Sequence, residues 1–263
     1  MSNQHQKKEG EFRMARELIS KNATKSVYRD GDMAIKVFCK GFPKAEVLNE
    51  ALVSARIEEI GGINIPATLK VEVDDDGCWA IYKEFINGKT LKQLMDENPD
   101  KLDEYLNQMV DLQLTIHSKT CPLLNKLKDK MARQISEIEE LNPVNRYDLL
   151  TRLDSTPKHI KLCHGDFQPE NIIVKEDGTM YVLDWVHATQ GNASADVART
   201  YLLFCLDNQE AADKYMDLFC KKTGTDKRYV QQWLSLVAAA QLTKKRPEEA
   251  ELLHSWLNVC DYQ

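Results

Sequence analysis

The 263-residue chain lacks long apolar runs and any excess of positive charge. Its longest apolar stretches, 201–206 and 236–240, are far shorter than the ~18 residues that a membrane helix needs. Residues 1–8 are polar and do not contain the apolar core of a signal peptide, so we expect a cytoplasmic protein without a membrane partner. The formal net charge of −6 argues against nucleic acid as a partner.

Paired cysteines are also missing. The chain has seven Cys, an odd number, and no Cys-x-x-Cys pair. This pattern excludes a disulfide framework and a zinc site of the usual spacing. We expect reduced thiols that lie mostly in the core.

The first third of the chain has the pattern of a small antiparallel sheet with one helix. Two short apolar runs, 24–29 and 33–38, flank an Asp-Gly pair, which predicts a hairpin. Apolar residues at helical spacing predict a helix over 44–60. A second strand pair is predicted at 68–73 and 79–85, around an acidic turn.

Beyond residue 86 the pattern becomes mainly helical, with a few short strands. The sequence therefore predicts an α+β fold with two lobes, 1–86 and 87–263. The predicted helices of the second lobe are 102–117, 123–141, 194–206, 209–222, 226–241 and 247–258. Its predicted strands are 161–163, 172–174 and 180–183.

The most informative segment runs from residue 164 to residue 184. Asp166 follows a predicted strand, Asn171 leads into the next strand, and Asp184 ends the hairpin. Carboxylate and amide oxygens suit Mg²⁺, which phosphates and water would ligate further. Phosphoryl transfer needs such ligands and a carboxylate that receives the proton of the attacking hydroxyl. Each residue alone would more often be an ordinary turn residue, but their order and spacing together indicate a kinase reaction.

Two strings carry a resemblance to a known family. They are His-Gly-Asp-x-x-x-x-Asn at 164–171 and Leu-Asp-Trp at 183–185. They resemble the catalytic segment of the aminoglycoside phosphotransferase and choline kinase family, and the N-terminal pattern fits that family too. The resemblance implies a bilobal, protein-kinase-like fold with a nucleotide-binding first lobe and a catalytic, substrate-binding second lobe. It also implies ATP and Mg²⁺ as cofactors and a small hydroxyl compound as the acceptor.

The same resemblance implies roles for individual residues. Asp166 would be the catalytic base, or would at least orient the substrate hydroxyl. Asn171 and Asp184 would hold Mg²⁺ against the phosphates of ATP. His164 and Asp196 would brace the catalytic loop and take no part in the chemistry.

Residues of the first lobe are candidates for binding the nucleotide. Lys36 lies on a predicted strand and can reach the α and β phosphates if a carboxylate holds it. Glu50, on the following predicted helix, is the best candidate for that carboxylate, and Glu46 is the alternative. Val27 and Ala34 resemble the apolar residues that cover the adenine ring in kinases.

The segment around Glu84 and Ile86 resembles the strand that joins the lobes of kinases, where main-chain groups would bind the adenine. The phosphate-covering loop of protein kinases is rich in Gly, whereas residues 22–26 contain none. Gly permits close approach of backbone to phosphate. This departure leaves a second hypothesis open, a nucleotide-binding pseudokinase that serves as an interaction module.

The residues around the catalytic Asp favour a small-molecule kinase over a protein kinase. Protein kinases usually have Arg where this chain has Gly165, and many have Lys where it has Gln168. The 184–196 segment is also too short for a long activation loop. The acceptor would be an aminoglycoside, an amino alcohol or a sugar.

The acceptor should bind between the catalytic loop and the helices after residue 90. The candidate lining residues are Trp185, His187, Gln190 and acids of the C-terminal helices. Trp233, Trp256 and His117 lie on helical patterns, and core packing is the better interpretation for them.

Overall fold

The computed structural model describes residues 16–257. These residues form two compact units: one contains residues up to 48 together with 67–85, and the other contains 49–66 and the chain from 86 onward. The predicted first lobe includes residues 49–66, whereas their contacts group them with the second unit. The reason is packing, because Val53 and Ile57 belong to the large apolar core of that unit.

The first unit contains a five-stranded antiparallel sheet in the order β1-β2-β3-β5-β4. Ile35, Ala80 and Tyr82 form its small buried core. The four predicted strands are present, and the structure adds β1, whose five residues are all exposed and therefore show no apolar alternation. The strands are β1 Glu17–Lys21, β2 Lys25–Asp30, β3 Met33–Phe38, β4 Thr68–Val73 and β5 Trp79–Glu84.

Helices make up most of the second unit, and α1 is divided between the two units after Leu48. Within the described residues, no helix has the length and the apolar character that crossing a membrane requires. The helices are α1 Lys44–Ile60, α2 Leu91–Glu97, α3 Leu102–His117, α4 Leu127–Glu137, α5 Pro143–Ser155, α6 Ala193–Cys205, α7 Gln209–Thr223, α8 Lys227–Gln231, α9 Leu234–Leu242 and α10 Ala250–Leu257.

The region predicted as one helix over 123–141 differs in the structure. Only α4 forms there, and the chain then enters α5, which the sequence analysis missed. Pro143 is the first residue of α5 and not merely the end of the preceding helix. Asn142 caps it, accepting a hydrogen bond from the Asn145 amide at 2.8 Å. Pro suits this first position because its missing N–H would have no partner in the helix.

Short strands position the catalytic segment within the second unit. One sheet has the order β6-β8-β9, and β7 pairs with β10. Phe167, Ile172 and Trp185 are almost fully buried, so the large core anchors the loops that connect these strands. The strands are β6 Lys89–Thr90, β7 Lys161–Cys163, β8 Ile172–Val174, β9 Met180–Val182 and β10 Thr189–Gly191.

Candidate active site

Asp166 lies in the loop between β7 and β8, and four side chains surround its carboxylate. Arg199 Nη2 lies 3.3 Å and Lys244 Nζ 3.9 Å from Oδ1. The amide nitrogens of Gln168 and Asn171 each donate to Oδ2 at 3.3 Å. Arg199 and Lys244 are distant from Asp166 in sequence, and Gln168 was not predicted as a site residue. Only Asn171 was part of the predicted site.

These contacts decide the protonation state of Asp166. Burial by itself would raise the pKa of the carboxyl group, but the positive charges of Lys244 and Arg199 outweigh it and hold the pKa below its ordinary value. Asp166 is therefore ionised at neutral pH and is a weak base. Such a carboxylate can accept a hydrogen bond from a hydroxyl and orient it, which suits phosphoryl transfer, where positioning contributes much of the catalysis.

The two predicted metal ligands, Asn171 and Asp184, lie at the two ends of the hairpin that β8 and β9 form. The Asn171 amide nitrogen also donates to the Asp166 carbonyl at 2.9 Å, which leaves its Oδ1 as the ligand atom. The Leu183 amide donates to the Asn171 carbonyl at 2.8 Å, so the next residue, Asp184, begins beside Asn171. Both side chains offer oxygen atoms, the donor type that Mg²⁺ prefers, and the set fits that ion.

Asp184 has an unusual backbone conformation, with a φ of 56° and a ψ of 58°. This left-handed region is costly for most residues but accessible to Asp and Asn. It turns the chain sharply between β9 and the short helix Trp185–His187. A strained backbone at an ionisable residue is typical of functional sites.

Gly165 is required by the shape of the loop. Its φ is +79°, and a Cβ atom here would lie 2.5 Å from the carbonyl oxygen of His187. The loop therefore excludes any side chain at this position. In this chain, the carbonyl of His187 leaves no room for the Arg that protein kinases have at this position.

Asp196 braces the catalytic loop from α6. Its side chain is almost fully buried and accepts hydrogen bonds from the Gly165 amide at 2.7 Å and the His164 amide at 3.2 Å. His117, at the end of α3, completes the brace with Nε2 at 2.9 Å from Asp196. Burial would raise the pKa of Asp196, and the hydrogen bond from His117 lowers it below its ordinary value.

His164 has a structural role as well. Its Nδ1 accepts a hydrogen bond from the Asp166 amide at 3.2 Å, and its Nε2 lies 2.8 Å from the Leu183 carbonyl. The ring thus joins the catalytic loop to the segment that carries Asp184. The structure places His164 and Asp196 as supports for the site, as the resemblance implies.

A cavity opens beside the catalytic loop, and its wall is rich in cations. Lys130 on α4, Arg199 on α6 and Lys244 after α9 line it together with Gly165 and His187. Its interior is small, about 70 Å³, and it opens to solvent. Because Arg199 and Lys244 also contact the Asp166 carboxylate, the cavity lies next to that carboxylate.

Of the residues predicted to line the acceptor site, His187 lines this cavity, whereas Trp185 and Gln190 do not. Trp185 is 1% exposed, and its indole nitrogen donates to the Val182 carbonyl at 3.0 Å, so it packs in the core. Gln190 donates to the carbonyls of Pro122 and Leu124, both at 2.9 Å, and holds that loop in place. Of the predicted acids of the C-terminal helices, Asp196 on α6 lines the cavity, beside Lys244.

Burial and mutual repulsion perturb the titration of the groups in the wall. Burial, followed by the charges of Arg199 and Lys244, lowers the pKa of Lys130 to about 8. Burial and Arg199 lower the pKa of Lys244 to about 8. Burial and the charge of Lys130 lower the pKa of His187 to about 3, so this imidazole is neutral at pH 7.

Three of the predicted nucleotide-binding residues share one face of the sheet in the first unit. Lys36 on β3 lies opposite Val27 on β2, and Ala34 lies two residues from Lys36 on the same strand. Side chains alternate between the faces of a strand, so these three project from the same side. Ile35 projects from the other side into the small core.

The remaining nucleotide-binding candidates are placed as follows. Glu50 lies on the part of α1 that belongs to the second unit and is 4% exposed, and its pairing with Lys36 stays a prediction. The Glu84 amide donates to the Ala67 carbonyl at 2.9 Å, so an adenine contact at Glu84 would use its carbonyl. Ile86 begins the next segment of the second unit and is buried.

The Gly-free turn at 22–26 has its own means of closing. The Asn22 side-chain oxygen accepts hydrogen bonds from the Thr24 and Lys25 amides, both at 2.9 Å. Asn commonly stabilises turns in this way. The side chain of Asn22 therefore stabilises this turn without glycine.

Comparison with solved structures identifies the fold. An unliganded thermostable mutant of aminoglycoside phosphotransferase APH(4)-Ia gives a TM-score of 0.70 at 13% identity, covering 94% of this chain and 93% of that chain. A mutant of aminoglycoside 2′-phosphotransferase-IIIa bound to GDP gives 0.63 at 17% identity, covering 92% and 91%. A choline/ethanolamine kinase family protein from Mesorhizobium loti gives 0.61 at 15% identity, covering 95% and 86%. The predicted protein-kinase-like α+β fold is thus confirmed.

Comparison at the level of sequence gives the family. No curated protein matches the chain closely enough to count as a relative. A family model described as "Phosphotransferase enzyme family" matches residues 16–229, which include every predicted site residue. This match confirms the resemblance to small-molecule phosphotransferases, and the chain belongs to the phosphotransferase enzyme family.

Proposed function

We propose that the protein transfers the γ-phosphoryl group of ATP, with Mg²⁺, to a hydroxyl group of a small molecule. The observation that carries this proposal is the hydrogen-bonded set of Asp166 and Asn171, with Asp184 following the residue that bonds to Asn171. Solved forms of APH(4)-Ia contain AMP-PNP or ADP together with hygromycin B, which supports a nucleotide and a hydroxyl acceptor for this fold.

Asp166 would act on the acceptor hydroxyl. In the reaction, the hydroxyl oxygen forms a bond to the γ-phosphorus while the bond from that phosphorus to the β–γ bridging oxygen breaks. The hydroxyl proton passes to the Asp166 carboxylate, and ADP leaves. The low pKa of Asp166 means that the proton moves late, after the hydroxyl has been oriented.

Asn171 and Asp184 would hold the metal. When bound, Mg²⁺ would neutralise charge on the phosphates and hold them in line with the acceptor. The hydrogen bond from Asn171 to Asp166 keeps the ligand-bearing amide and the base in a fixed mutual position. Preorganisation of this kind contributes to the rate because the groups need no rearrangement during the reaction.

The predicted nucleotide-binding residues keep their roles in this proposal. We propose that Lys36 binds the phosphates with Glu50 as its partner, and that Val27 and Ala34 cover the adenine. The main-chain groups at Glu84 and Ile86 would complete adenine binding. The shared face of Val27, Ala34 and Lys36 supports this assignment within the first unit.

The test measures ATP consumption against a panel of aminoglycosides, amino alcohols and sugars, with and without Mg²⁺. Asp166→Asn should lower kcat by roughly 10² to 10⁴, the range typical of lost general acid–base catalysis, while ATP affinity changes little. Asp154→Asn, an exposed acid on α5, is the matched control and should behave as wild type.

The same experiment separates this proposal from the pseudokinase hypothesis, which the Gly-free turn motivates. A pseudokinase would show an ATP-dependent rise in melting temperature without turnover on any acceptor. Full turnover by Asp166→Asn would contradict the role of this residue.

A further inference from the structure

Two lysines in the acceptor cavity have no acidic hydrogen-bond partner. Lys130 Nζ donates to the carbonyl of His187 at 3.1 Å, and within the described residues no carboxylate forms an ion pair with it. The carboxylate nearest to Lys244 is Asp166, at 3.9 Å, too far for a good hydrogen bond. The Lys130 side chain is half-buried and that of Lys244 is 30% exposed, and both line the cavity, so both would gain from an anion placed there.

The third cation of the wall is already committed. Arg199 donates to the Asp166 carboxylate with Nη2 and to the Gln241 side-chain oxygen with Nη1. Gln241 is held in that orientation because its amide nitrogen donates to the buried Glu249. Arg246 forms an ion pair with Glu249, with Nη1 2.8 Å from Oε1. Among the described cations of this wall, Lys130 therefore has no ion pair, and Lys244 has only the longer contact of 3.9 Å with Asp166.

The wall offers little to a positively charged acceptor. Its one carboxylate, Asp196, already accepts hydrogen bonds from Gly165, His164 and His117. In the described part of the chain, no Trp, Tyr or Phe lines the cavity, so the aromatic faces that bind ammonium groups are missing there. An amino group of the acceptor would meet the like charges of two lysines, which opposes binding.

We propose that the acceptor is a small hydroxylated anion whose carboxylate or phosphate binds Lys130 and Lys244 while its hydroxyl group contacts Asp166. The inference rests on the proposed function and names its substrate class. It departs from the expectation of an aminoglycoside, an amino alcohol or a neutral sugar. Hydrogen bonds between ammonium groups and an anion are short and strong, and they would fix the distance from the anionic group to the reacting hydroxyl.

The first experiment compares six-carbon hydroxylated acceptors that differ in charge. Gluconate and glucose 6-phosphate are the anionic probes, glucose is the neutral probe, and glucosamine is the cationic probe. We expect kcat/KM for an anionic probe to exceed that of glucose by about tenfold or more, as a hydrogen bond to a charged group implies. Comparing kcat/KM for gluconate with that for glucose 6-phosphate indicates whether the site prefers a carboxylate or a phosphate. A preference for glucosamine would overturn the inference.

The second experiment assigns the preference to the two lysines. Lys130→Gln and Lys244→Gln should each raise KM for the preferred anion about tenfold and should raise KM for glucose much less. Lys245→Gln, an exposed neighbour, is the matched control. An equal fall of kcat with every probe would show instead that the lysines hold the transferred phosphoryl group, and the inference would fail.

A binding measurement keeps this inference distinct from the proposed function. Calorimetric titration of the ATP-free protein with gluconate and glucose 6-phosphate should show binding that either lysine variant weakens. Lysine-dependent binding without turnover would refute the proposed function and leave an anion site. Turnover on glucose or glucosamine without anion binding would refute the inference and leave the function intact. If a variant fails to fold, the preference of the wild-type protein for anionic over neutral and cationic probes still tests the inference.

Discussion

Arg199 on α6 and Asp166 in the catalytic loop form an ion pair at 3.3 Å, with side chains that are 12% and 15% exposed. The pair joins a helix of the second unit to the residue that would act on the acceptor. Gln241 supports the guanidinium group on its other side. The catalytic carboxylate is therefore positioned by a distant helix as well as by its own loop.

Removing the guanidinium group should destabilise the protein. Arg199→Gln leaves a largely buried carboxylate with weaker compensation, and we expect a loss of roughly 3 kcal/mol in the free energy of unfolding. Arg199→Lys keeps the charge but not the fork of donors, so its loss should be smaller. Urea unfolding of the three proteins measures the difference. Equal stability of wild type and Arg199→Gln would show that solvent already screens this pair.

Two glycines allow a test of the close contact in the catalytic loop. Gly165 and Gly178 have similar positive φ angles, +79° and +81°, but only at Gly165 would a Cβ meet another atom, His187 O at 2.5 Å. Gly178→Ala should cost about 1 kcal/mol from backbone strain alone. Gly165→Ala should cost clearly more and should also reduce activity, because the loop must move. Thermal unfolding of both variants gives the comparison, and equal costs would contradict the steric explanation.

Because the backbone of Asp184 is left-handed, variants at this position can distinguish an effect on folding from an effect on metal binding. Asp184→Asn keeps a residue that tolerates this conformation, so we expect a melting temperature near that of wild type and loss of Mg²⁺-dependent ATP turnover. Asp184→Ala should lose turnover and also about 1 kcal/mol of stability. Unchanged Mg²⁺-dependent turnover by Asp184→Ala, which offers no side-chain oxygen, would refute the assignment of Asp184 as a ligand.

The titration of the two cavity lysines predicts a pH dependence. Lys130 and Lys244 have a pKa of about 8, below the ordinary 10.5, so they lose their charge as the pH rises through about 8. The unfolded chain keeps these protons up to a pH of about 10.5. The free energy of unfolding of the unliganded protein should therefore increase as the pH rises from about 8 to about 10.5. The charged and titratable groups that face the two lysines are Asp166, His187, Asp196, Arg199, Arg246 and Glu249.

Binding of an anion should have the opposite pH dependence to stability. KM for an anionic probe should rise between pH 7.5 and pH 9.5, while KM for glucose stays level, since only the anion needs the charged lysines. Binding near pH 8.5 should also take up protons, which calorimetry in buffers of different ionisation enthalpy detects. Parallel pH curves for both probes would contradict the prediction.

Much of the architecture could be predicted because its signals are local. The hairpin around Asp30-Gly31 and the helix Lys44–Ile60 depend on turn residues and apolar spacing that a short window contains. Strand β1 was missed because all of its residues are exposed and none reports burial. Helix α5 was missed because Pro143 was interpreted as the end of one helix, whereas Asn142 and Pro143 begin another.

The amino-acid sequence by itself predicted the candidate catalytic set, since Asp166 and Asn171 lie in the loop before β8 and Asp184 follows β9, so that one short stretch of chain carries all three. Only the tertiary structure decided the surroundings of that set. Arg199, Lys130 and Lys244 come from three separate elements and carry no motif, so nothing in their spacing indicates a shared cavity. Electrostatic interactions depend on distance in space and on burial, which packing decides, and for that reason the charge of the acceptor site emerged only from the fold.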